Sequence, residues 1–185
     1  MVCFPCEAGT YAAEYDQDEC LPAPIGTYVA FNRSSAYTRC DAGSSQPQQR
    51  QTSCIDCPPG LYIDVTGSDV CTKCPAGTFS SGNGSTSCED CFFGTYQDEE
   101  GQNACKSTDP GFVANQRGLI FPQACGLGTS QPEPGTSLCD SCTRGRYADQ
   151  QASSECKACS VGTFSSVIAA VTAPCAGASA ISHGP

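Results

Sequence analysis

The apolar positions of this chain form short segments that recur at even spacing. A glycine is followed by threonine and an aromatic residue, as in Gly77-Thr78-Phe79, and the pattern returns 17 residues later at Gly94-Thr95-Tyr96. A threonine-aromatic pair suits a short strand. With the polar turn and the return segment that follow, it predicts a small hairpin. No apolar stripe of helical period occurs and no apolar run reaches about 18 residues, so no membrane span is predicted.

Cysteine has the same period, and internal repeats determine the fold. We call the first cysteine of a repeat its start and the one about 14 residues later its end. Ten repeats result. Repeat 2 has Ala23 and Tyr37 at its start and end, and repeat 7 has Thr108 and Pro122.

These double absences indicate how the cysteines pair. A bridge between neighbouring repeats would leave Cys20 unpaired, because the next start is Ala23. Pairing start to end within each repeat leaves no thiol unpaired in the ten repeats, although sequence alone seldom chooses a pairing. The predicted disulfides are Cys6–Cys20, Cys40–Cys54, Cys57–Cys71, Cys74–Cys88, Cys91–Cys105, Cys125–Cys139, Cys142–Cys156 and Cys159–Cys175.

Cys3 has no partner in this scheme. By its spacing it is the end cysteine of an earlier repeat, so one interpretation is that the chain is a segment of a longer array. The alternative is an intermolecular disulfide that joins chains head to tail.

Glycine lies three residues after the start position in all ten repeats. A fixed glycine indicates a positive φ or a close backbone approach that a side chain would block. An aromatic residue follows two positions later in most repeats, but repeats 3 and 8 have Ser45 and Ser130 there. Each of these two repeats follows a repeat without a disulfide. We therefore predict that the aromatic packs backwards, onto the disulfide of the preceding repeat.

The repeats without cysteine contain additional apolar residues. Two interpretations are open: they form small cores that replace the missing disulfide, or they are exposed and mark contact sites. The residues concerned include Val29 and Val113, and the candidate contact residues are Phe31, Tyr37, Leu119, Ile120 and Phe121.

A longer period overlies the short one. Repeats 2 and 7 match in lacking cysteine, and repeats 3 and 8 match in the sequence Ser-Gln-Pro. This divides the chain into the end of a preceding repeat (1–5), a first super-repeat of five units (6–90), a second (91–175) and a tail or linker (176–185).

The amino-acid composition indicates the cellular compartment in which the protein is found. The chain has 17 cysteines in 185 residues, a proportion typical of disulfide scaffolds, which persist in oxidising compartments. We therefore predict an extracellular or cell-surface protein whose signal peptide lies outside this sequence. The net charge of −10 without a basic stripe excludes nucleic acid as an expected partner.

Candidate chemistry is sparse. Repeated C-x-x-C could bind zinc, but a site shared by two repeats would not explain why start and end are lost together. Acidic turns such as 16–19 and 98–100 could bind calcium, yet no EF-hand spacing is present. The only histidine, His183, lies near the C-terminus, so we predict no enzyme, no cofactor and no metal. Asn32 and Asn83 begin N-x-[ST] sequons in predicted turns and are candidate glycosylation sites.

The repeat CPAGTFSSGNGSTSCEDC, from Cys74 to Cys91, resembles the ephrin-receptor-like cysteine-rich repeat. That repeat is related to the one-disulfide module of TNF-receptor cysteine-rich domains. The similarity covers all ten repeats. It implies a small disulfide-rich, all-β and loop-rich fold with little or no helix: an elongated, solenoid-like rod of tandem β-hairpin modules, each with one disulfide.

Two functions fit this fold. The first is a non-enzymatic structural role, as a rigid stalk or as a subunit of a mastigoneme-like surface filament or of a matrix. Its partners would be copies of itself or other extracellular structural chains, with glycans as further partners. The second is a receptor or adhesion ectodomain segment that binds a protein ligand.

Overall fold

The computed structural model describes residues 3–172. Within this range the chain forms two-residue strands joined by turns, and it contains no helix. The strands are β1 (Thr10–Tyr11), β2 (Leu21–Pro22), β3 (Thr27–Tyr28), β4 (Thr38–Arg39), β5 (Ser44–Ser45), β6 (Ile55–Asp56), β7 (Leu61–Tyr62), β8 (Thr72–Lys73), β9 (Thr78–Phe79), β10 (Glu89–Asp90), β11 (Thr95–Tyr96), β12 (Lys106–Ser107), β13 (Phe112–Val113), β14 (Gln123–Ala124), β15 (Thr129–Ser130), β16 (Asp140–Ser141), β17 (Arg146–Tyr147) and β18 (Lys157–Ala158).

Each of the first nine repeats is one antiparallel hairpin, as the sequence predicts. Its first strand begins just after the fixed glycine. Its second strand is the pair of residues between the cysteines of C-x-x-C, so that Ile55–Asp56 lies between Cys54 and Cys57. In repeat 3, Ser44 pairs with Asp56 and Ser45 pairs with Ile55. Among its described residues repeat 10 has no such strand pair and contributes a parallel bridge from Ala170 to Tyr147.

The structure contains seven disulfides among the described residues, and each closes a single repeat. The paired Cα atoms are 5.6 to 5.8 Å apart, and the pairs are Cys6–Cys20, Cys40–Cys54, Cys57–Cys71, Cys74–Cys88, Cys91–Cys105, Cys125–Cys139 and Cys142–Cys156. Cys159 is also in a disulfide, and its predicted partner Cys175 lies outside the described residues. Cys3 is a free, exposed thiol.

Backbone hydrogen bonds connect each repeat to the next. Between repeats 3 and 4, the Gly43 amide donates to the Ile63 carbonyl at 2.8 Å and the Cys57 amide donates to the Gly43 carbonyl at 2.9 Å. A third bond joins the same two repeats, in which the Gly67 amide of repeat 4 donates to the Cys40 carbonyl of repeat 3 at 2.8 Å. Bonds of the same kind recur at a 17-residue spacing along the chain. A hairpin of two short strands is marginal alone, and this bonding supplies the contacts that it lacks.

The packing also reaches the second neighbour, which the sequence did not predict. A Cβ atom built on Gly60, whose φ is +87°, would overlap the carbonyl oxygen of Gly101, a turn residue two repeats later. Gly43 stands in the same relation to Gly84. Contacts between repeats are therefore not limited to immediate neighbours. The fixed glycine has both proposed causes at once, a positive φ and a close backbone approach.

The described residues group into two compact parts. The first contains residues 3–89 with 99–104, and the second contains residues 90–98 with 105–172. In each part the core is a column of buried start cysteines, such as Cys57 in the first and Cys125 in the second, both with no exposed surface. Burial of the cystines is consistent with the low content of large aliphatic residues.

The repeats without a disulfide keep the same fold by substituting small side chains. Ala23 and Thr108 take the place of the start cysteine and are completely buried, and Val29 and Val113 in the same repeats are also buried. The hairpin of repeat 7 has the same register as the others, with Phe112 opposite Ala124. However, the hydroxyl of Thr108 is buried without a hydrogen-bond partner.

Replacing Thr108 with valine should therefore stabilise the protein by about 1 kcal/mol, because it removes an unsatisfied buried hydroxyl without changing the side-chain volume. Thermal unfolding of the oxidised protein measures the effect. The control is Thr27→Val, since the Thr27 hydroxyl donates to the Pro24 carbonyl at 2.7 Å. That variant should lose about 1 kcal/mol, and the same sign for both variants would contradict this account of Thr108.

Candidate interaction surface

The five predicted contact residues lie on the outside of the two cystine-free repeats. Phe31 and Phe121 are 78% and 67% exposed, and Tyr37 and Ile120 are also exposed. Leu119 is half-buried. Both interpretations of the apolar residues therefore hold, each for different side chains. Val29 and Val113 are buried and belong to the core, whereas Phe31, Tyr37 and Phe121 are exposed.

The aromatic position packs forwards, onto the following repeat, so the prediction of backward packing is wrong. The Tyr11 ring of repeat 1 contacts the edge of Tyr37, at the end position of repeat 2, with centroids 5.4 Å apart. In repeat 3, the Ser45 hydroxyl lies 3.4 Å from the sulfur of Cys71 in repeat 4. Ser130 in repeat 8 lies 3.1 Å from the sulfur of Cys156 in repeat 9. The side chain follows its strand, and that strand is hydrogen-bonded to the next repeat.

Serine in place of an aromatic ring leaves an open hollow beside the disulfide Cys57–Cys71. We call this the Ser45 hollow; its lining includes Ser45, Ile55, Asp56, Leu61, Asp69 and Val70. Ile55 and Val70 are 57% and 65% exposed. The hollow combines an apolar surface with two carboxylates, and sequence analysis singled out its serine without recognising the space.

A second surface feature was missed by sequence analysis. Phe92 and Phe93 lie in the turn of repeat 6 and are both more than half exposed. The Arg117 guanidinium lies over the Phe92 ring, 4.8 Å from its centroid, which is a cation–π arrangement. All nine other repeats have proline, glycine or a polar residue at the first of these positions, and this departure was the available signal.

In the part of the chain that the structure describes, two hairpins each contain a lysine–aspartate salt bridge. The Lys106 ammonium donates to the Asp98 carboxylate at 2.6 Å, and Lys157 donates to Asp149 at 2.7 Å. The hydrogen bond from Lys106 holds the pKa of Asp98 below its ordinary value, and the bond from Lys157 does the same for Asp149. Both carboxylates lie in solvent, so the pairs contribute little to stability. That contribution is present at neutral pH and is lost as the pH falls through the lowered pKa.

Replacing Lys106 with methionine should raise the pKa of Asp98 towards the ordinary value of an aspartate, because the hydrogen bond that favours the ionised form is removed. Carboxyl chemical shifts followed by NMR during a pH titration measure this. Asp149 provides the internal control, since its own lysine is unchanged. An unaltered Asp98 titration would show that the salt bridge does not form in solution.

Both candidate glycosylation sites are exposed turn residues. Asn32 accepts a hydrogen bond from the Ala8 amide at 2.8 Å through its side-chain oxygen. Asn83 occupies the equivalent turn three repeats later. The sequon serines Ser34 and Ser85 donate to the carbonyls of Phe31 and Gly82. The side-chain nitrogen is the atom that a glycan would modify, and the bond made by the Asn32 oxygen leaves that nitrogen available.

Residues 3–172 contain no group of three histidine, cysteine, aspartate or glutamate side chains that could hold a metal ion. His183 lies outside the described residues. In the same range, no helix has the length and apolar character needed to cross a bilayer.

The repeats can now be compared with known families. The profile of a family described as tyrosine-protein kinase ephrin type A/B receptor-like matches residues 26–69, 60–94, 77–125 and 128–174. Together these matches cover most of the chain. The chain belongs to the ephrin-receptor-like family. Every match begins at a fixed glycine, Gly26, Gly60, Gly77 or Gly128, and three of these, Gly26, Gly60 and Gly128, closely approach a backbone carbonyl two repeats later.

Membership confirms the resemblance found in the sequence. Ephrin-receptor-like repeats are non-catalytic, disulfide-rich modules of extracellular proteins, receptor-like or structural. No curated protein matches the chain, so the partner of this ephrin-receptor-like array has to be inferred from its own surface.

Proposed function

We propose that this chain is a non-enzymatic structural protein of the cell surface, a stalk or a subunit of a filament of the mastigoneme type or of a matrix. The observation that supports this most directly is the backbone hydrogen bonding that recurs between successive repeats within each of the two compact parts. Gly43, for example, donates to repeat 4 and also accepts from it. Bonds between main-chain atoms depend little on side-chain identity, so an array built in this way tolerates sequence variation on its surface.

Disulfides add stability that suits a structural role outside the cell. Closing a loop of about 15 residues contributes about 3 kcal/mol in the chain-entropy model, and seven such loops occur in succession. Reinforcement of this kind in every ordinary repeat favours resistance to unfolding over conformational change. We expect the partners to be copies of this chain or other extracellular structural chains.

Glycans belong to the same proposal. Asn32 and Asn83 are exposed and lie in equivalent turns, so sugars at both would project from corresponding positions of two repeats. A peptide mass increase at both asparagines, removed by an endoglycosidase, would support their modification in the native protein.

The second candidate function is a receptor or adhesion segment that binds a protein ligand. It is favoured by the exposed aromatic residues of the cystine-free repeats, Phe31 and Phe121. Aromatic residues are enriched at binding hot spots. The family also includes receptor-like proteins.

Sedimentation velocity and electron microscopy of the full chain over a range of concentrations distinguish the two functions. The structural function predicts self-association into ordered assemblies whose repeat distance is commensurate with the 85-residue super-repeat. Particles that remain monomeric at every concentration, and that capture a soluble protein through Phe31 or Phe121, would instead favour the receptor function.

A further inference from the structure

We propose that the Ser45 hollow binds the Phe92–Phe93 turn of a second copy of this chain. This inference rests on the proposed structural function, because it names the contact through which copies join. It requires one chain to supply the hollow and another to supply the aromatic turn.

The hollow lies at a position where most repeats have an aromatic ring. Seven repeats have tyrosine or phenylalanine at the position of Ser45, and in this fold that side chain lies against the end position of the next repeat, as Tyr11 does against Tyr37. In repeat 3 the space beside the Cys71 sulfur is left to the Ser45 hydroxyl, 3.4 Å away. A ring entering from outside would therefore meet a surface that the fold elsewhere covers with its own aromatic residue.

The side chains that line the hollow favour binding of an apolar ligand. Ile55 and Val70 are both more than half exposed, and Leu61, which also lines the hollow, is half-buried. An inserted ring would remove these side chains from water and would contact the disulfide sulfur, which is a favourable neighbour for an aromatic edge. Burial of exposed aliphatic surface is the main driving force expected for this contact.

Repeat 8 provides a built-in comparison. Ser130 makes the same contact with a disulfide sulfur, at 3.1 Å. The residues equivalent to Ile55, Leu61 and Val70 are Asp140, Arg146 and Glu155, and the Arg146 guanidinium donates to the Cys156 carbonyl at 2.9 Å. The corresponding surface of repeat 8 therefore carries charged side chains where repeat 3 has aliphatic ones, so an aromatic ligand is expected at repeat 3 and not at repeat 8.

Electrostatic complementarity favours the Phe92–Phe93 turn as the partner of the Ser45 hollow. The Ser45 hollow includes the carboxylates of Asp56 and Asp69, and the chain as a whole has a net charge of −10. Two acidic chains repel each other, so a contact between them needs a local cation. The Phe92 ring provides one, because the Arg117 guanidinium lies 4.8 Å from its centroid. Ring and guanidinium together complement an apolar hollow bordered by two carboxylates.

Hollow and turn are different surfaces, so the contact is heterologous: each copy that fills one neighbour's hollow leaves its own hollow open for another copy. Association of this type continues until it closes into a ring or extends as a chain. Blocking either surface stops it, and this property makes the proposal testable with full-length protein.

The test uses four variants of the full chain, studied by analytical ultracentrifugation. Ser45→Tyr fills the hollow with the residue that other repeats have there, and Ser130→Tyr is its matched control in repeat 8. Phe92→Ser combined with Phe93→Ser removes the aromatic turn, and Phe121→Ser is the control for loss of an exposed ring. We expect the first and third variants to weaken self-association about tenfold or more and both controls to associate as the unchanged chain does.

Mixing gives the sharper result. The Ser45→Tyr chain retains the turn and the Phe92→Ser/Phe93→Ser chain retains the hollow, so an equimolar mixture should form a heterodimer and stop at two chains. Unchanged thermal unfolding verifies that each variant is folded.

Three outcomes would overturn the contact while leaving the structural function intact: assembly of the Ser45→Tyr chain at normal affinity, a mixture that remains monomeric, or loss of assembly in Phe121→Ser alone. An unchanged chain that never self-associates would overturn the proposed role as a self-assembling filament subunit, and this contact with it.

Discussion

Replacing Gly60 with alanine should lower the free energy of unfolding by more than about 3 kcal/mol. Two costs combine at this residue. Its φ of +87° is unfavourable for any residue with a Cβ atom, and that atom would overlap the Gly101 carbonyl oxygen two repeats later. The oxygen belongs to the backbone and cannot move without displacing its whole turn. Chemical denaturation of the oxidised protein, followed by circular dichroism, measures the loss.

Gly67→Ala is the matched control, since Gly67 also has a positive φ, +78°. Its Cβ would lie 3.4 Å from the nearest atom, the flexible Arg39 side chain. Ala152 and Ala169 already occupy the equivalent turn position with φ values of 56° and 60°. We therefore expect a cost of about 1 kcal/mol for this variant. Equal losses for the two variants would show that φ alone explains the fixed glycine and that repeats two apart do not touch.

Under mechanical tension in the oxidised state, the described chain should lengthen mainly through its two cystine-free repeats. The pulling force passes through each disulfide and not through the loop that the disulfide closes. In the ordinary repeats only the short link between one loop and the next can extend, such as Cys54 to Cys57, and its length is at most about 10 Å. By contrast, Cys40 lies 20 positions after Cys20, and Cys125 lies 20 positions after Cys105. Each of these segments contains about 70 Å of contour length, and optical tweezers would record their release as two comparable steps.

The matched variant restores a disulfide to repeat 7 through Thr108→Cys with Pro122→Cys. The two positions correspond to start and end in a hairpin of unchanged register. We expect one of the two long steps to disappear and the thermal stability to rise by about 3 kcal/mol, the usual contribution of a loop of this length. Two long steps in the oxidised variant, or extension spread evenly over all repeats, would contradict the assignment of the compliant segments.

The sequence was sufficient for the local fold because local structure here is covalent and periodic. The paired losses at Ala23 with Tyr37 and at Thr108 with Pro122 pointed to disulfides inside each repeat, and the structure joins the cysteines in that way. The hairpins follow from the same period, since a 17-residue unit closed at both ends has room for little else.

The arrangement between repeats was harder to predict, for a physical reason. A carbonyl oxygen 41 residues later leaves no room for a side chain at Gly60. Because every residue has a carbonyl oxygen, the sequence contains no residue type that marks this contact. The prediction of the packing direction was wrong for a similar reason. Ser45 and Ser130 both follow a cystine-free repeat, but their actual partners are the sulfurs of the next repeat, and two coincidences cannot give a direction.

Two further features have local signals that were missed. The threonine after the fixed glycine was attributed to strand propensity, whereas its hydroxyl also donates to the carbonyl three residues earlier, as Thr95 does to Phe92 at 2.8 Å. The aromatic turn at Phe92 departs from its equivalents in other repeats, but its meaning depends on Arg117 in the next repeat. Features that involve two repeats require the register between them, which the period alone does not provide.

Peptide mass mapping of the native, non-reduced protein tests most directly whether each repeat is closed by its own disulfide. Cleavage between the cysteines should release linked peptides that contain Cys40 with Cys54, Cys57 with Cys71, and the other five pairs of the described chain. A link from Cys54 to Cys57, or alkylation of these residues as free thiols, would contradict the fold and the structural role proposed from it.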